Sequence, residues 1–343
     1  MIYKTGSNFF IKGPYSTGIS IVIDVVWPWF MPVLFTLAGM SSAYALKKRT
    51  PAEYAGERFH KLFVPFFFGV VLIMPIAAYF GAKFNNNYAG TFFGECVQFF
   101  SKYSKDLSGY NGEFGVGHLW YVLYLFIISL IALPVMVMYN KSTKKINLQK
   151  INLFILLMLF IFPLIGHYIP IIPGKSIFEY LFFFIIGYLI LSNDCVVEIC
   201  EKYRFLLTGI FLLFMLLMIG ELAAINNNKI AVSQHRVMRH LFEGVVVEFY
   251  AYCGILALLG LTKKYVNIKN KYTDYFAGSS FGVYLFHLPW IVTIAYYVLK
   301  NISNVFLQII IILAGSIILT FVTYEIVRRI PIVNKVFCIN HKI

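Results

Sequence analysis

The 343-residue chain is 60% hydrophobic and only 13% charged, whereas an ordinary soluble domain carries about 25% charged residues. So apolar a composition excludes a soluble globular protein and indicates a chain surrounded by lipid. The net charge of +14 is typical of nucleic-acid-binding proteins, but the basic residues lie in short segments between apolar runs and form no continuous stripe. Nucleic acid is therefore not a predicted partner.

Nine apolar runs follow one another along the chain, and a helix that crosses a bilayer needs roughly 20 such residues. They lie near residues 20–46, 62–82, 118–139, 151–172, 177–191, 205–221, 241–261, 277–299 and 304–327. Runs such as residues 181–186 are apolar on every side, unlike the alternating strands of a membrane β-barrel. We predict an all-α, polytopic transmembrane helical bundle of about nine spans, which forms one membrane domain over residues 1–343.

The loops between these runs differ in basic content, which predicts their orientation. Of the 29 Lys and Arg residues, 19 lie in loops near 47–61, 140–150, 192–204 and 261–275 and in the tail after 327. Because basic loops stay in the cytoplasm, the C-terminus is predicted to be cytoplasmic in a multi-pass protein of the cell membrane. The N-terminus and the long loops 83–117 and 222–240 then lie outside, where they would shape an acceptor site.

Searches for soluble-enzyme and metal motifs find nothing. The chain contains no Gly-x-Ser-x-Gly elbow, no His-Glu-x-x-His pair and no Walker loop. The cysteines show no metal-ligand spacing and are predicted to be structural; they are Cys96, Cys195, Cys200, Cys253 and Cys338. No metal site and no bound cofactor are predicted.

Two cations stand three residues apart in the segment that opens the second run, Arg-Phe-His-Lys-Leu-Phe-Val-Pro at residues 58–65. On an α-helix this spacing places Arg58 and Lys61 on one face, where they would bind an anion such as a phosphate. The alternative is that both side chains snorkel to lipid headgroups and set the orientation, as basic residues in cytoplasmic loops generally do.

A glycine-rich approach, residues 112–117, leads to His118 at the start of the third run. This position predicts that His118 lies near the outer interface, where a histidine can act as a general base or bind a hydroxylated acceptor. The alternative is a residue of the interfacial belt beside Trp120.

His287 lies about ten residues into the eighth run, which is roughly 15 Å deep and near the bilayer midplane. An ionisable group at that depth is costly and predicts a functional site that faces the interior of the bundle. A neutral histidine that another helix satisfies is the alternative. Three acidic residues in or near apolar runs are candidate partners for it: Asp24, Glu243 and Glu248.

Several segments, taken together, resemble the acyltransferase family 3 membrane proteins, especially the branch that includes glucan biosynthesis protein C. Residues 29–39 and then 58–65 resemble a span and a basic motif of that branch, and Gly-His-Leu-Trp-Tyr at 117–121 resembles its next signature. Residues 279–289 resemble the family pattern Ser-Tyr-x-x-Tyr-Leu-x-His-x-Pro, with Phe281 in place of the usual tyrosine. The resemblance covers nearly the whole chain.

The resemblance implies a ten-span bundle that transfers an acetyl-type or succinyl-type group from cytoplasmic acyl-CoA, or a related donor, to a hydroxyl of an extracytoplasmic glycan or related acceptor. The family's first span usually carries an Arg and a His, and no such segment is found here. We therefore expect that the chain begins in the loop after that span, through a truncation or a mis-assigned start. A genuine truncation would put activity in doubt.

The resulting hypothesis is a path through the bundle in which His118 and His287 are the catalytic candidates. The candidates for substrate binding are Arg58, Lys61, Trp120, Tyr121 and Tyr284, of which the two cations would bind donor phosphates and the other three would donate hydrogen bonds. Two alternatives remain open. One is a transporter of a polar lipid or glycan precursor, and the other is an inactive partner of a complete homologue.

Overall fold

Helices dominate the part of the chain that the computed structural model describes. That part comprises residues 1–4, 9–103, 108–169, 176–226, 236–266, 268 and 270–339, without the side chains of residues 221–226 and 236–243. No strand occurs within these ranges, and Tyr103 and Phe114 form an isolated bridge. The helices in chain order are α1 Thr17–Leu46, α2 Pro51–Asn85, α3 Phe92–Ser101, α4 Gly117–Lys141, α5 Leu153–His167, α6 Ile177–Leu191, α7 Asp194–Lys202, α8 Arg204–Asn226, α9 Arg236–Tyr265, α10 Lys271–Asn301, α11 Val305–Val327 and α12 Pro331–Phe337.

Six of the described helices are long and apolar enough to cross a membrane, namely α1, α2, α4, α10, α11 and the Gly244–Tyr265 part of α9. The pair α6 and α7 makes a seventh if its 97° bend lies within one span. The runs predicted at 151–172 and 205–221 correspond to the shorter apolar segments Leu153–His167 and Arg204–Gly220. The prediction of an all-α polytopic bundle is confirmed, while the number of nine spans stays a prediction.

Apolar side chains on the outside of these helices require a lipid environment. Leu313, Ile317 and Ile318 of α11 are 58–60% exposed, which in water would cost the free energy that burial of large apolar side chains normally provides. The helices therefore belong to an integral membrane protein.

Two prolines explain the irregular course of α2. A proline has no backbone N–H and its ring crowds the carbonyl four residues earlier. Directly before Pro65 and Pro75 the helix widens into π turns, Phe59–Phe63 and Gly69–Ile73, in which Val64 N–H donates to Phe59 O and Met74 N–H donates to Gly69 O. The wider turns keep these backbone groups paired where lipid offers no partner.

The described chain forms two compact units. Unit 1 comprises Met1–Ser20, Gly56–Phe126 and Lys269–Ile343, and unit 2 comprises Ile21–Ala55 and Ile127–Ile268. The single domain over residues 1–343 stays a prediction.

Unit 1 has two ends that carry different loops. At one end Tyr3 donates from its hydroxyl to Gln308 Oε1 at 3.2 Å, and Asn85 Nδ2 donates to Phe10 O at 3.1 Å. At the other end Cys338 Sγ donates to His60 O at 3.0 Å. The N-terminus and the end of α2 thus lie together, as do the start of α2 and the C-terminal tail. This pairing agrees with the alternation predicted from the loops, while the cytoplasmic side stays a prediction.

Unit 2 contains a close helix contact that only glycine permits. A Cβ on Gly39 of α1 would lie 2.0 Å from Phe184 O, and one on Gly187 of α6 would lie 2.2 Å from Thr36 O. Helices in lipid associate through such small residues because close approach gains van der Waals contact. The ring of Phe35 stacks on Tyr180 beside this contact, with centroids 4.6 Å apart.

Candidate functional site

The segment before α4 runs along α2 in unit 1, from the C-terminal end of α2 toward its middle. Near its start, Tyr110 O accepts a hydrogen bond from Asn85 Nδ2 at 3.1 Å, at the last residue of α2. At its end, Gly117 lies so close to Met74 that an added Cβ would be 2.4 Å from Met74 Cε. Met74 stands eleven residues before Asn85, which is about 16 Å along a helix. Helix α4 therefore begins about 16 Å from the C-terminal end of α2, measured along the axis of α2.

His118 follows in a 3-10 turn, Gly117–Leu119, that opens α4. Gly117 has φ = +50°, a backbone conformation that glycine adopts with little strain. Leu119 is fully buried, and its Cδ1 occupies the space beside Gly69 of α2. These contacts fix the turn that carries His118.

Two hydrogen bonds of opposite direction, together called the clasp, join His118 to α10. The Tyr284 hydroxyl donates to His118 O, and His118 Nε2 lies 3.2 Å from Leu285 O. In a regular helix Leu285 O would accept from the N–H four residues later, but that residue is Pro289, which has none. The His118 imidazole thus takes the place of the missing helix donor.

The clasp determines the tautomers of two histidines. A carbonyl oxygen only accepts, so the hydrogen of His118 lies on Nε2 and its lone pair lies on Nδ1. This Nδ1 is buried without a hydrogen-bond partner among the described residues. His287 Nδ1 lies 2.7 Å from Tyr284 O, which leaves Nε2 as its basic nitrogen. The two rings are 4.9 Å apart and nearly perpendicular, so unit 1 holds a pair of neutral imidazoles.

The other predicted residues surround this pair unequally. The Tyr121 ring packs edge-on against Tyr284 at 5.6 Å, and the Arg58 guanidinium interacts electrostatically with Tyr121. Trp120 is buried, and its described ring contact is with Tyr124 at 5.2 Å. Tyr284 therefore contacts both histidines and Tyr121 packs behind it, whereas Trp120 packs on the ring of Tyr124.

Arg58 and Lys61 have different environments, although their spacing predicts a shared face. Arg58 Nε is buried, while the Lys61 side chain is 56% exposed and binds Glu57 at 2.6 Å. The π turn Phe59–Phe63 begins directly after Arg58 and contains Lys61, and it changes the number of residues per turn. The rule for residues three apart on an α-helix consequently does not apply here.

The structure places His118 beside the middle of α10, while its predicted position near the outer interface stays a prediction. Its partner Leu285 stands fourteen residues after the first residue of α10 and sixteen before the last, at the middle of that helix. His118 therefore lies at the level of the middle of α10, because the segment 110–117 carries the chain along α2 before α4 begins. The mid-helix position predicted for His287 agrees with the structure.

The three acidic residues that were predicted as candidate partners of His287 lie in different places. Glu248 contacts His167 in unit 2, at 3.1 Å between Oε1 and Nδ1. Asp24 lies in α1, and the side chain of Glu243 lies outside the described part of the chain. Sequence reasoning missed His167 and its second partner Glu179, since neither forms a motif and the three residues are far apart in the chain.

An apolar helical bundle with two partly buried histidines beside the middle of α10 defines a polytopic membrane protein with an internal polar site. The model of acyltransferase family 3, described as an acyltransferase domain, matches residues 5–325. The chain belongs to this family. Comparisons with curated proteins and with solved structures find no match.

Proposed function

We propose that this membrane acyltransferase transfers an acetyl-type or succinyl-type group from cytoplasmic acyl-CoA, or a related donor, to a hydroxyl of an extracytoplasmic glycan or related acceptor. The observation that carries the proposal is the pair His118 and His287, whose rings are 4.9 Å apart and whose tautomers leave one basic nitrogen each. A group halfway along the helices is within reach of substrates that enter from either side.

The transfer forms an ester and breaks a thioester. His287 Nε2 takes the proton of the acceptor hydroxyl as its oxygen attacks the acyl carbon, and the thiolate of coenzyme A leaves with the sulfur electrons. The proton on the imidazole then passes to that thiolate, which restores the neutral histidine. Histidine suits this role because its proton exchange is fast near neutral pH.

The neighbouring hydroxyl groups match the remaining needs of the reaction. The carbonyl oxygen of the acyl group becomes negative in the transition state and is stabilised by preorganised hydrogen-bond donors. The Tyr121 ring packs against Tyr284, which contacts both histidines, and Tyr121 interacts with the Arg58 cation, so its hydroxyl is our candidate donor. The Tyr284 hydroxyl is already bound to His118 O and positions that histidine.

Arg58 and Lys61, both on α2, are the candidate groups that bind the phosphates of the donor. Lys61 is exposed near the start of α2 and Arg58 is partly buried toward Tyr121. Phosphates of coenzyme A would bind these cations through charge-assisted hydrogen bonds. The irregular segment 110–117 would give the acceptor its approach, because non-helical backbone at membrane depth is found where it lines protein or a polar cavity.

The test is an assay of purified protein in proteoliposomes with labelled acetyl-CoA or succinyl-CoA and glucan acceptors. We expect labelled ester, and we expect His287→Ala to reduce the rate by about 10²- to 10⁴-fold, the range of general-base catalysis. His60→Ala is the matched control, since the His60 side chain is exposed and lies outside the pair.

Equal rates for the wild type and His287→Ala would show that His287 is not the general base of the reaction. Uptake of a glycan precursor without a covalent product would instead identify a transporter. Thermal unfolding of each variant in detergent distinguishes loss of the base from loss of the fold.

A further inference from the structure

Three ionisable side chains from three helices of unit 2 form a cluster, in which two carboxylates approach one imidazole nitrogen. His167 is the last residue of α5, Glu179 lies in the first turn of α6, and Glu248 lies within α9. His167 Nδ1 is 3.2 Å from Glu179 Oε2 and 3.1 Å from Glu248 Oε1. The three ligand atoms all lie within 4.8 Å of one another.

The surrounding backbone holds the cluster in place. A Cβ on Gly166 would lie 2.6 Å from Glu179 N, so α5 and α6 touch directly next to His167. Ser176 caps α6 and donates from its hydroxyl to Gly166 O and Ile169 O. The ring of Phe249, next to Glu248, packs edge-on against Phe160 of the α5 region at 4.9 Å. The site is built by packed elements.

With both carboxylates ionised, the cluster carries a net negative charge even when the imidazole is protonated. Two carboxylates carry two negative charges, and a protonated imidazole supplies one positive charge. Glu248 is only 2% exposed, and its Oε2 has no hydrogen-bond partner among the residues that the structure describes. A buried net negative charge is costly. One divalent cation with a neutral imidazole removes the imbalance completely.

The arrangement of the three ligand atoms is also compatible with a bound metal ion. A single N–H points at one acceptor, yet two carboxylate oxygens stand at nearly equal distances from His167 Nδ1. Ligand atoms bound at 2.0–2.1 Å around a tetrahedral zinc ion are about 3.3 Å apart. The separations of 3.1 and 3.2 Å correspond to two edges of such a polyhedron, and one nitrogen with two carboxylates is a donor set of zinc and manganese sites.

We propose that His167, Glu179 and Glu248 form a binding site for one divalent transition-metal cation, of the Zn²⁺ or Mn²⁺ class, that ties α5, α6 and α9 together in unit 2. The ion binds the lone pair of His167 Nδ1 and one or two oxygens of each carboxylate. Binding releases the protons that occupy these atoms in the metal-free protein. The site is separate from the acyl-transfer proposal, and its readout is metal content and not catalysis.

The experiment is metal binding by the full chain in detergent. After EDTA treatment and desalting, the protein is titrated with Zn²⁺, Mn²⁺ or Co²⁺, and bound metal is measured by mass spectrometry and by the visible absorption of Co²⁺. We expect about one metal per chain, a raised melting temperature and proton release. Glu248→Gln and His167→Ala should abolish saturable binding, and Glu179→Gln should weaken it at least tenfold.

The matched control is Glu201→Gln, which removes a partly exposed carboxylate of the same unit that lies 3.8 Å from Lys264. This variant should bind metal as the wild type does. The absence of stoichiometric binding in the wild type, or equal binding by Glu179→Gln and Glu201→Gln, would show that the cluster is a proton-sharing ion pair and would overturn the proposal. Glu179→Gln keeps the test decisive if either stronger variant fails to fold.

Discussion

Unit 1 and unit 2 each hold partly buried histidines among their helices, but the hydrogen-bond partners of these histidines differ in charge. In unit 1 the partners of His118 and His287 are backbone carbonyls of α10. In unit 2 the partners of His167 are the carboxylates of Glu179 and Glu248. A carbonyl fixes the tautomer of an imidazole without requiring a charge, whereas two carboxylates require a cation between them.

The difference teaches how the same side chain acquires two roles. A neutral imidazole bound through one nitrogen keeps a basic second nitrogen, which is the requirement for proton transfer. An imidazole between carboxylates either becomes a cation or binds one together with them. The partner atoms therefore determine whether a histidine here keeps a free basic nitrogen or is held in a charged cluster.

Removing the histidine of unit 2 is the change with the largest expected effect on stability. In chelator-treated protein, His167→Ala leaves two carboxylates facing each other without a cation, which should lower the free energy of unfolding by about 3–5 kcal/mol. His118→Ala loses a neutral hydrogen bond and should cost only about 1–2 kcal/mol. Denaturant or thermal unfolding in detergent measures both.

A second substitution sharpens this result. The double variant His167→Ala with Glu179→Gln should recover part of the lost stability, since one of the facing charges is gone. Equal costs for His167→Ala and His118→Ala would mean that the partners of the two histidines do not differ energetically, and the comparison would fail.

Glu95 extends the comparison to a buried carboxylate that has no histidine partner among the residues that the structure describes. It lies in α3, outside the long apolar helices, is 2% exposed, and its Oε2 has no hydrogen-bond partner within the described residues. Burial raises the pKa of Glu95 to about 7. Since the protonated form is the one favoured by folding, stability should be greatest below about pH 4.5 and fall by about 1–3 kcal/mol as pH rises through 7.

Glu95→Gln tests this dependence, because it keeps the shape and removes the titration. The variant should unfold at nearly the same temperature at pH 5 and pH 8, while the wild type loses stability between them. Glu53→Gln is the control: Glu53 is exposed, so the fall in wild-type stability between pH 5 and pH 8 should persist in that variant. A wild type whose stability does not change over this range would contradict the prediction.

Pro289→Ala should give the smallest change in stability and a specific change at His118. The new N–H at residue 289 can donate to Leu285 O, so it competes with His118 Nε2 for that carbonyl. Stability should stay the same or rise by about 1 kcal/mol, while the ¹⁵N resonances of the His118 ring shift as its bond weakens. An unchanged ¹⁵N spectrum of His118 would show that Pro289 does not influence the hydrogen bond between His118 Nε2 and Leu285 O.

Much of the fold is readable from the sequence, since lipid demands long apolar helices. The runs near 20–46, 62–82 and 304–327 have counterparts in α1, α2 and α11. The bend between α6 and α7 and the short α5 were not predictable, because a hydropathy pattern contains no information about the angle between consecutive helices. The long loop 83–117 was predicted, but the helix Phe92–Ser101 within it was not.

The site was predictable only where one segment carries it. Tyr284 and His287 share a helix with Pro289, so their proximity follows from spacing alone. The contact of His118 with that helix joins residues 167 positions apart, and its depth depends on the course of 110–117, which periodicity does not describe. The cluster at His167 is still harder to predict, because its three members come from three helices and carry no common motif.

The inward course of residues 110–117 also affects how the protein is made. This stretch is not an apolar helix, so the insertion machinery has no reason to place it within the bilayer by itself, and lipid cannot satisfy its backbone. Its final position depends on Leu285, which is synthesised much later. The histidine pair is consequently completed only after α10 has emerged and inserted, so the newly made chain passes through a stage in which its earlier helices are in the membrane but the pair does not yet exist.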